Sequence, residues 1–161
     1  MKKTKASGKV VKNLIPRAGS ALKNEFYLET SWIISSILEM RLKNIISRVE
    51  GKSTGTGYNL DRSLKRVKYL ILRGDQPALT EEIGVGLIDA IRTWKNKRNK
   101  LLKEMCDQHI SKLRFAGLAE EGIVLMQEMN ESHKKFKKAW TRSVAPPSEP
   151  PEIKTEEHEP V

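Results

Sequence analysis

The sequence predicts an all-α fold, an antiparallel bundle of four helices or five, and three observations carry that prediction. Apolar residues recur at three- and four-residue steps over several long stretches, strand-type alternation is nowhere sustained, and glycine- or proline-containing breaks separate the periodic segments. The 161 residues suffice for one domain with a real core and are short for two.

The first long helix is expected from about Asn24. Tyr27, Ser31, Ile34, Leu38, Leu42, Ile45 and Val49 form one face, and Trp32, Ile33 and Ile37 widen it, so this helix should be largely buried. Gly51 is placed to end it in the left-handed conformation, and 52–57 reads as loop. A second helix runs from about Leu60 to Leu72, with Leu60, Leu64, Val67 and Ile71 inward and Asn59 as its cap. Its other face carries Arg62, Lys65, Arg66 and Lys68, and Gly74 to Pro77 stops it. Thr80 reads as the N-cap of a third helix reaching about Met105, with Glu81 and Glu82 in the first turn, where acids oppose the helix dipole. The pattern loosens from Cys106 to Gly117. A fourth helix, Leu118 to Arg142, puts Ile123, Met126, Met129, Phe136 and Trp140 on one side and Lys134, Lys135, Lys137 and Lys138 near its end.

The net charge of +10 is unevenly distributed. Residues 1–20 hold +6 with no acid and read as a flexible basic arm, whereas the Pro/Glu-rich tail 144–161 holds −4 and reads as disordered. That leaves +8 on the folded part, 21–143. Such a surplus favours RNA or an acidic protein partner through counterion release, or else a lysine-rich solvated face. No window approaches the ~18 apolar residues of a membrane span, and the N-terminus lacks the apolar region of a secretory signal. A cytoplasmic protein without membrane contact is expected. Cys106 stands alone, so neither an intramolecular disulfide nor a zinc ligand pair is available, and no metal or cofactor is expected. Phosphate-loop, HExxH and nucleophile-elbow patterns are absent.

One position breaks the pattern. The stripe of the third helix runs Leu87, Ile91, Trp94, Arg98, then Leu101 or Leu102, then Met105, so Arg98 stands where the period asks for an apolar side chain. It lies inside Lys95-Asn96-Lys97-Arg98-Asn99-Lys100. A guanidinium directed at a packed face has to be paired, hydrogen-bonded or set at a boundary. It could snorkel at the rim along Trp94, or pair with Glu39 of the first helix. It could instead face a cleft or interface and take a phosphate through its planar fork, with Lys95 and Asn99 beside it. His109 falls about three turns further on and reads as incidental. His133 reads as solvated among lysines, and His158 lies in the tail.

Three segments together resemble a known family. They are 25–49 (EFYLETSWIISSILEMRLKNIISRV), 91–103 (IRTWKNKRNKLLK) and 118–142 (LAEEGIVLMQEMNESHKKFKKAWTR). They resemble, in order, the first helix, the motif helix and the following helix of HEPN-type domains of bacterial and mobile-element proteins. The resemblance covers about 25–142. It implies a four- or five-helix bundle that dimerises, and many such domains are metal-independent ribonucleases with an Arg-x4–6-His motif at the dimer interface. By position Arg98 is the motif arginine and Asn99 the polar residue after it, but the histidine slot holds Lys103, Glu104 or Met105. Histidine suits proton exchange near neutral pH, and lysine does so only after a large pKa drop. The expectation is therefore a non-catalytic homodimer that binds RNA or an acidic protein through Lys95, Arg98, Asn99 and Lys103. A ribonuclease of toxin–antitoxin or phage-defence type, using Arg98, Asn99 and Lys103, is the first alternative. A purely structural or regulatory assembly module is the second.

Overall fold

The computed structural model describes the backbone of residues 3–107 and 109–144 and the side chains of 9–106 and 109–144. Six helices form the described chain: α1 (Lys3–Lys23), α2 (Tyr27–Glu50), α3 (Leu60–Arg73), α4 (Pro77–Glu82), α5 (Gly84–Asp107) and α6 (Lys112–Val144). No strand occurs among the described residues, and the fold is all-helical as the sequence predicts.

The apolar periodicity explains the packing. α2 lies at the centre, against α1, α3 and α6, and Ile34, Ile37, Leu38, Leu42 and Ile45 are fully buried. Three neighbours require a wide apolar sector, which is what the doubled stripe of this helix supplies. It ends at Gly51 with φ +66°. In α3 the Asn59 side chain accepts from the Arg62 backbone N–H, capping the helix as its sequence indicates.

Cross-helix contacts give the directions. Arg17 meets Glu29, so α1 and α2 form an antiparallel hairpin. Lys68 meets Asp89 and Lys95 meets Asp61, so α3 and α5 are antiparallel. Lys97 meets Glu121 and Arg114 meets Glu104, so α5 and α6 are too. Along α2 and α6 the contacts rise together: Lys112 lies by Glu25 and Tyr27, and Arg41 by Asn130 and His133. These two helices run parallel. Consequently α3 also follows α2, and the loop 51–59 carries the chain back along the bundle between them.

Several elements differ from the sequence reading. Residues 3–20, expected as part of a flexible arm, form most of α1, because Val11, Ala18 and Ala21 are buried against the bundle and make it an amphipathic helix. Thr80 does not cap α5. It sits inside the short α4, which begins at Pro77, a residue suited to a first turn, and ends at Ile83. Gly84, at φ +69°, then turns the chain into α5. The fourth predicted helix starts earlier, at Lys112. Trp32, expected inside, is 61% exposed. Residues 145–161 of the expected tail lie outside the described residues.

Trp94 is the keystone of the α5–α6 seam. It is fully buried, and its indole Nε1 donates to the Leu118 carbonyl at 2.9 Å. Its ring occupies the space over Gly122, where a Cβ would lie 2.7 Å from the ring. Arg98 follows one turn later on the same helix, so the seam fixes the height at which its side chain leaves α5.

Candidate functional site

Helix length creates the site. α3 has 14 residues against 24 in both α2 and α5, and it begins opposite Lys95. Beyond that level nothing from α3 covers α5, and a groove of about 300 Å³ remains. Trp32, Ser35, Ser36 and Glu39 of α2 form one wall. Asn59, Leu60 and Asp61, where α3 begins, close one end, and Lys95, Arg98 and Asn99 of α5 form the other wall. Three of the four predicted site residues thus meet here. The fourth, Lys103, is exposed and does not line the groove.

Most of the positive run on α5 is neutralised locally. Lys95, its side chain only 13% exposed, binds Asp61 at 2.5 Å, Lys97 binds Glu121 at 2.9 Å, and Lys100 lies 3.8 Å from Glu104. Lys95 therefore positions Asp61 rather than offering a free charge. Hydrogen bonds from Lys95 and then Lys65 hold the Asp61 carboxyl down at about 2, well below the usual carboxylate range. Glu39 binds Lys43 at 2.6 Å, so the ion pair considered between Glu39 and Arg98 does not form.

Arg98 is the exception. Its guanidinium carbon lies 5.4 Å from the centroid of the Trp32 ring, a cation–π contact. No carboxylate pairs with it among the described residues, and its Nε is buried without an acceptor. Burial pulls its pKa below the usual guanidinium value, though an arginine retains its charge. The rim position weighed from the sequence is correct, but the ring it rests on is Trp32, not Trp94. Arg92, two turns before Asn99, also has a buried Nε without a partner.

Sequence reasoning missed Trp32, Ser35, Ser36 and Asn59 as groove residues. A signal existed: Leu28, Trp32, Ser36 and Glu39 form a second helical stripe offset from the core stripe of α2. His109 lines a different cavity, of about 550 Å³, between the start of α2 and the 109–115 segment, with Phe26, Tyr27 and Phe115. His133 corrects the solvated reading. It is 4% exposed, because α6 presents Asn130 and His133 to α2. Arg41 donates from Nε to Asn130 Oδ1 at 2.7 Å, and its terminal nitrogen lies 3.4 Å from His133 Nδ1. A guanidinium can only donate, so Nδ1 accepts and the imidazole is neutral. Burial first, then the charges of Arg41, Lys137 and Arg48, push His133 down to about 3.

Among the described residues no helix is long and apolar enough to cross a membrane. No group of three or more His, Cys, Asp or Glu side chains among them could hold a metal ion. Comparison of the chain with protein-family models, curated proteins and solved structures returns no match.

Proposed function

We propose that this chain is a HEPN-like, non-catalytic helical protein that binds single-stranded RNA in the Trp32–Arg98 groove. The observation that carries this reading is Arg98 itself, a cation laid on an exposed indole with no carboxylate holding it. Unpaired bases stack on aromatic rings and guanidinium planes, while arginine forks donate to phosphate oxygens. The groove's two carboxylates are already engaged by lysines, so they leave the Arg98 charge available. Asn59, Asn99, Ser35 and Ser36 supply hydrogen-bonding groups along the same walls. The +8 charge of residues 21–143 supplies the long-range attraction. The absence of His109 and His133 from the groove lining supports binding over cleavage.

Titration of a labelled single-stranded oligoribonucleotide, followed by anisotropy, tests the reading. A base–aromatic stack contributes about 1–3 kcal/mol, so Trp32→Ala is expected to weaken binding by roughly 5- to 150-fold. Arg98→Gln is expected to weaken it similarly and to lower the salt slope by about 1. Binding unchanged in both variants would reject the groove. RNA should stay intact during the titration. Cleavage that disappears in Arg98→Ala would instead support the toxin–antitoxin or phage-defence ribonuclease.

A second reading is homodimerisation over the same face. It is supported by the exposure of Trp32, a large apolar ring 61% open to solvent. A dimer that Trp32→Lys dissociates, measured by light scattering, would favour it.

A further inference from the structure

The Arg41 network at the α2–α6 seam has a charge problem that the Arg98 groove does not address. Apart from Arg98 and Arg92, whose Nε atoms lack partners, partly buried cations of this protein meet carboxylates: Lys43 with Glu39, Arg66 with Glu50, Lys68 with Asp89 and Lys95 with Asp61. Arg41 is half-buried too, yet both of its contacts, Asn130 and His133, are neutral acceptors. Arg48 lies about two turns further along the same face of α2, and Lys137 one turn beyond His133 on α6. Neither makes an ion pair among the described residues. The nearest acids in sequence are turned elsewhere, Glu50 to Arg66 and Glu131 to Lys134. The charges of Arg41, of the exposed Lys137 and of the partly buried Arg48 therefore all act on a buried neutral imidazole, and no carboxylate pairs with any of the three among the described residues.

We propose that Arg41, Arg48 and Lys137 form an anion site on the α2–α6 seam, distinct from the Arg98 groove, and that it takes a phosphate group. Asn130 is the positioning residue. By accepting from Arg41 Nε it fixes the plane of the guanidinium and directs its remaining N–H groups along the seam. Phosphate fits better than a carboxylate for two reasons. Its oxygens can accept from three donors approaching from different sides, and its charge of up to −2 offsets more of the +3. A single carboxylate would offset only one of the two partly buried guanidiniums, Arg41 and Arg48, and leave the other uncompensated. His133 need not bind the anion. It lies against the site and serves as its reporter.

The test uses the full-length protein in phosphate-free buffer at pH 7, with the ring resonances of His133 followed by NMR and assigned against His109 and His158 by substitution. Inorganic phosphate is expected to shift the His133 signals saturably. Arg48→Gln and Lys137→Gln should each raise the half-saturating phosphate concentration at least fivefold. Both leave the Arg41–Asn130–His133 contacts in place, whereas an Arg41 variant could unfold the seam and mislead. Lys138→Gln and Trp32→Ala should leave the titration unchanged. The second of these makes the result independent of RNA binding in the groove. Decauridylate without terminal phosphates distinguishes the source. If it gives the same His133 shift, the ligand is a singly charged backbone phosphodiester, selected by the placement of its oxygens and not by a second charge; if only inorganic phosphate does, the ligand is a free or terminal phosphate, which can carry −2. A shift that never saturates, or one that Lys138→Gln weakens as much as Lys137→Gln, would reduce the effect to screening and overturn the site. So would a change in His133 without phosphate when Glu149, Glu152, Glu156, Glu157 and Glu159 are all replaced by Gln. In that event the chain's own acidic segment is the occupant.

Discussion

Trp94→Ala is expected to lower the unfolding free energy by about 3–5 kcal/mol, the range for truncating a buried large aromatic. The indole is fully buried, so its area and its contacts are lost together. The Leu118 carbonyl also loses the indole donor. Against a total stability of about 5–15 kcal/mol for an ordinary domain, this removes a large share. Urea unfolding followed by circular dichroism checks it, with the midpoint falling at an unchanged slope. Gly122→Val approaches the same seam from the other side. Its Cβ would meet the rigid Trp94 ring at 2.7 Å, and overpacking of that kind costs about 1–3 kcal/mol or more. A loss under 1 kcal/mol in Trp94→Ala would mean that the ring is not the keystone of the seam. Function should follow stability here, since Arg98 leaves α5 one turn beyond Trp94. Loosening the seam is expected to blur the groove before the bundle unfolds.

What could be read without coordinates follows the physics of each signal. α2, α3 and the cap at Asn59 were legible because large apolar residues at regular steps and a capping asparagine are local features. α1 was not, although Val11, Ile15, Ala18 and Leu22 step by four, three and four. Three alanines, two glycines and Pro16 dilute the apolar content of this helix, and the lysines dominate its composition. Arg98 was legible because it violates a period. Its surroundings were not: the groove exists because α3 is short and runs parallel to α2, and that direction depends on the long return loop 51–59. Charge was the least legible property. Lys95, Lys97 and Lys100 look like a basic patch in one dimension, yet each meets a carboxylate from another turn or another helix. Local sequence shows how many charges a helix carries, whereas only packing shows which remain unpaired. Arg98 and Arg41 are such residues, and the second drew no attention from its neighbours in the chain.

His133 gives the second large effect, as a pH dependence of stability. In the unfolded chain this imidazole takes a proton near its ordinary value of about 6.5, whereas in the fold it is pushed down to about 3. Between those values the unfolded state binds more protons than the folded one, so stability rises with pH and falls as pH drops. Its contribution is complete above about 6.5 and is lost as the solution is acidified toward 3. Each pH unit inside the window is worth about 1.4 kcal/mol, so acidification from pH 7 to 4.5 should cost roughly 3 kcal/mol. This range lies above the loss tied to Asp61, whose depressed carboxyl costs stability only as pH falls from about 4 toward about 2. His133→Gln keeps an acceptor for Arg41 but cannot titrate, so its stability should change by about 3 kcal/mol less over the same interval. Urea unfolding of both proteins at pH 7, 6, 5 and 4.5 measures the difference, in acetate and MES buffers without phosphate. Parallel curves for the two would show that His133 takes up its proton in the folded state as readily as in the unfolded one. The three surrounding cations would then have to be neutralised by something the bundle itself supplies.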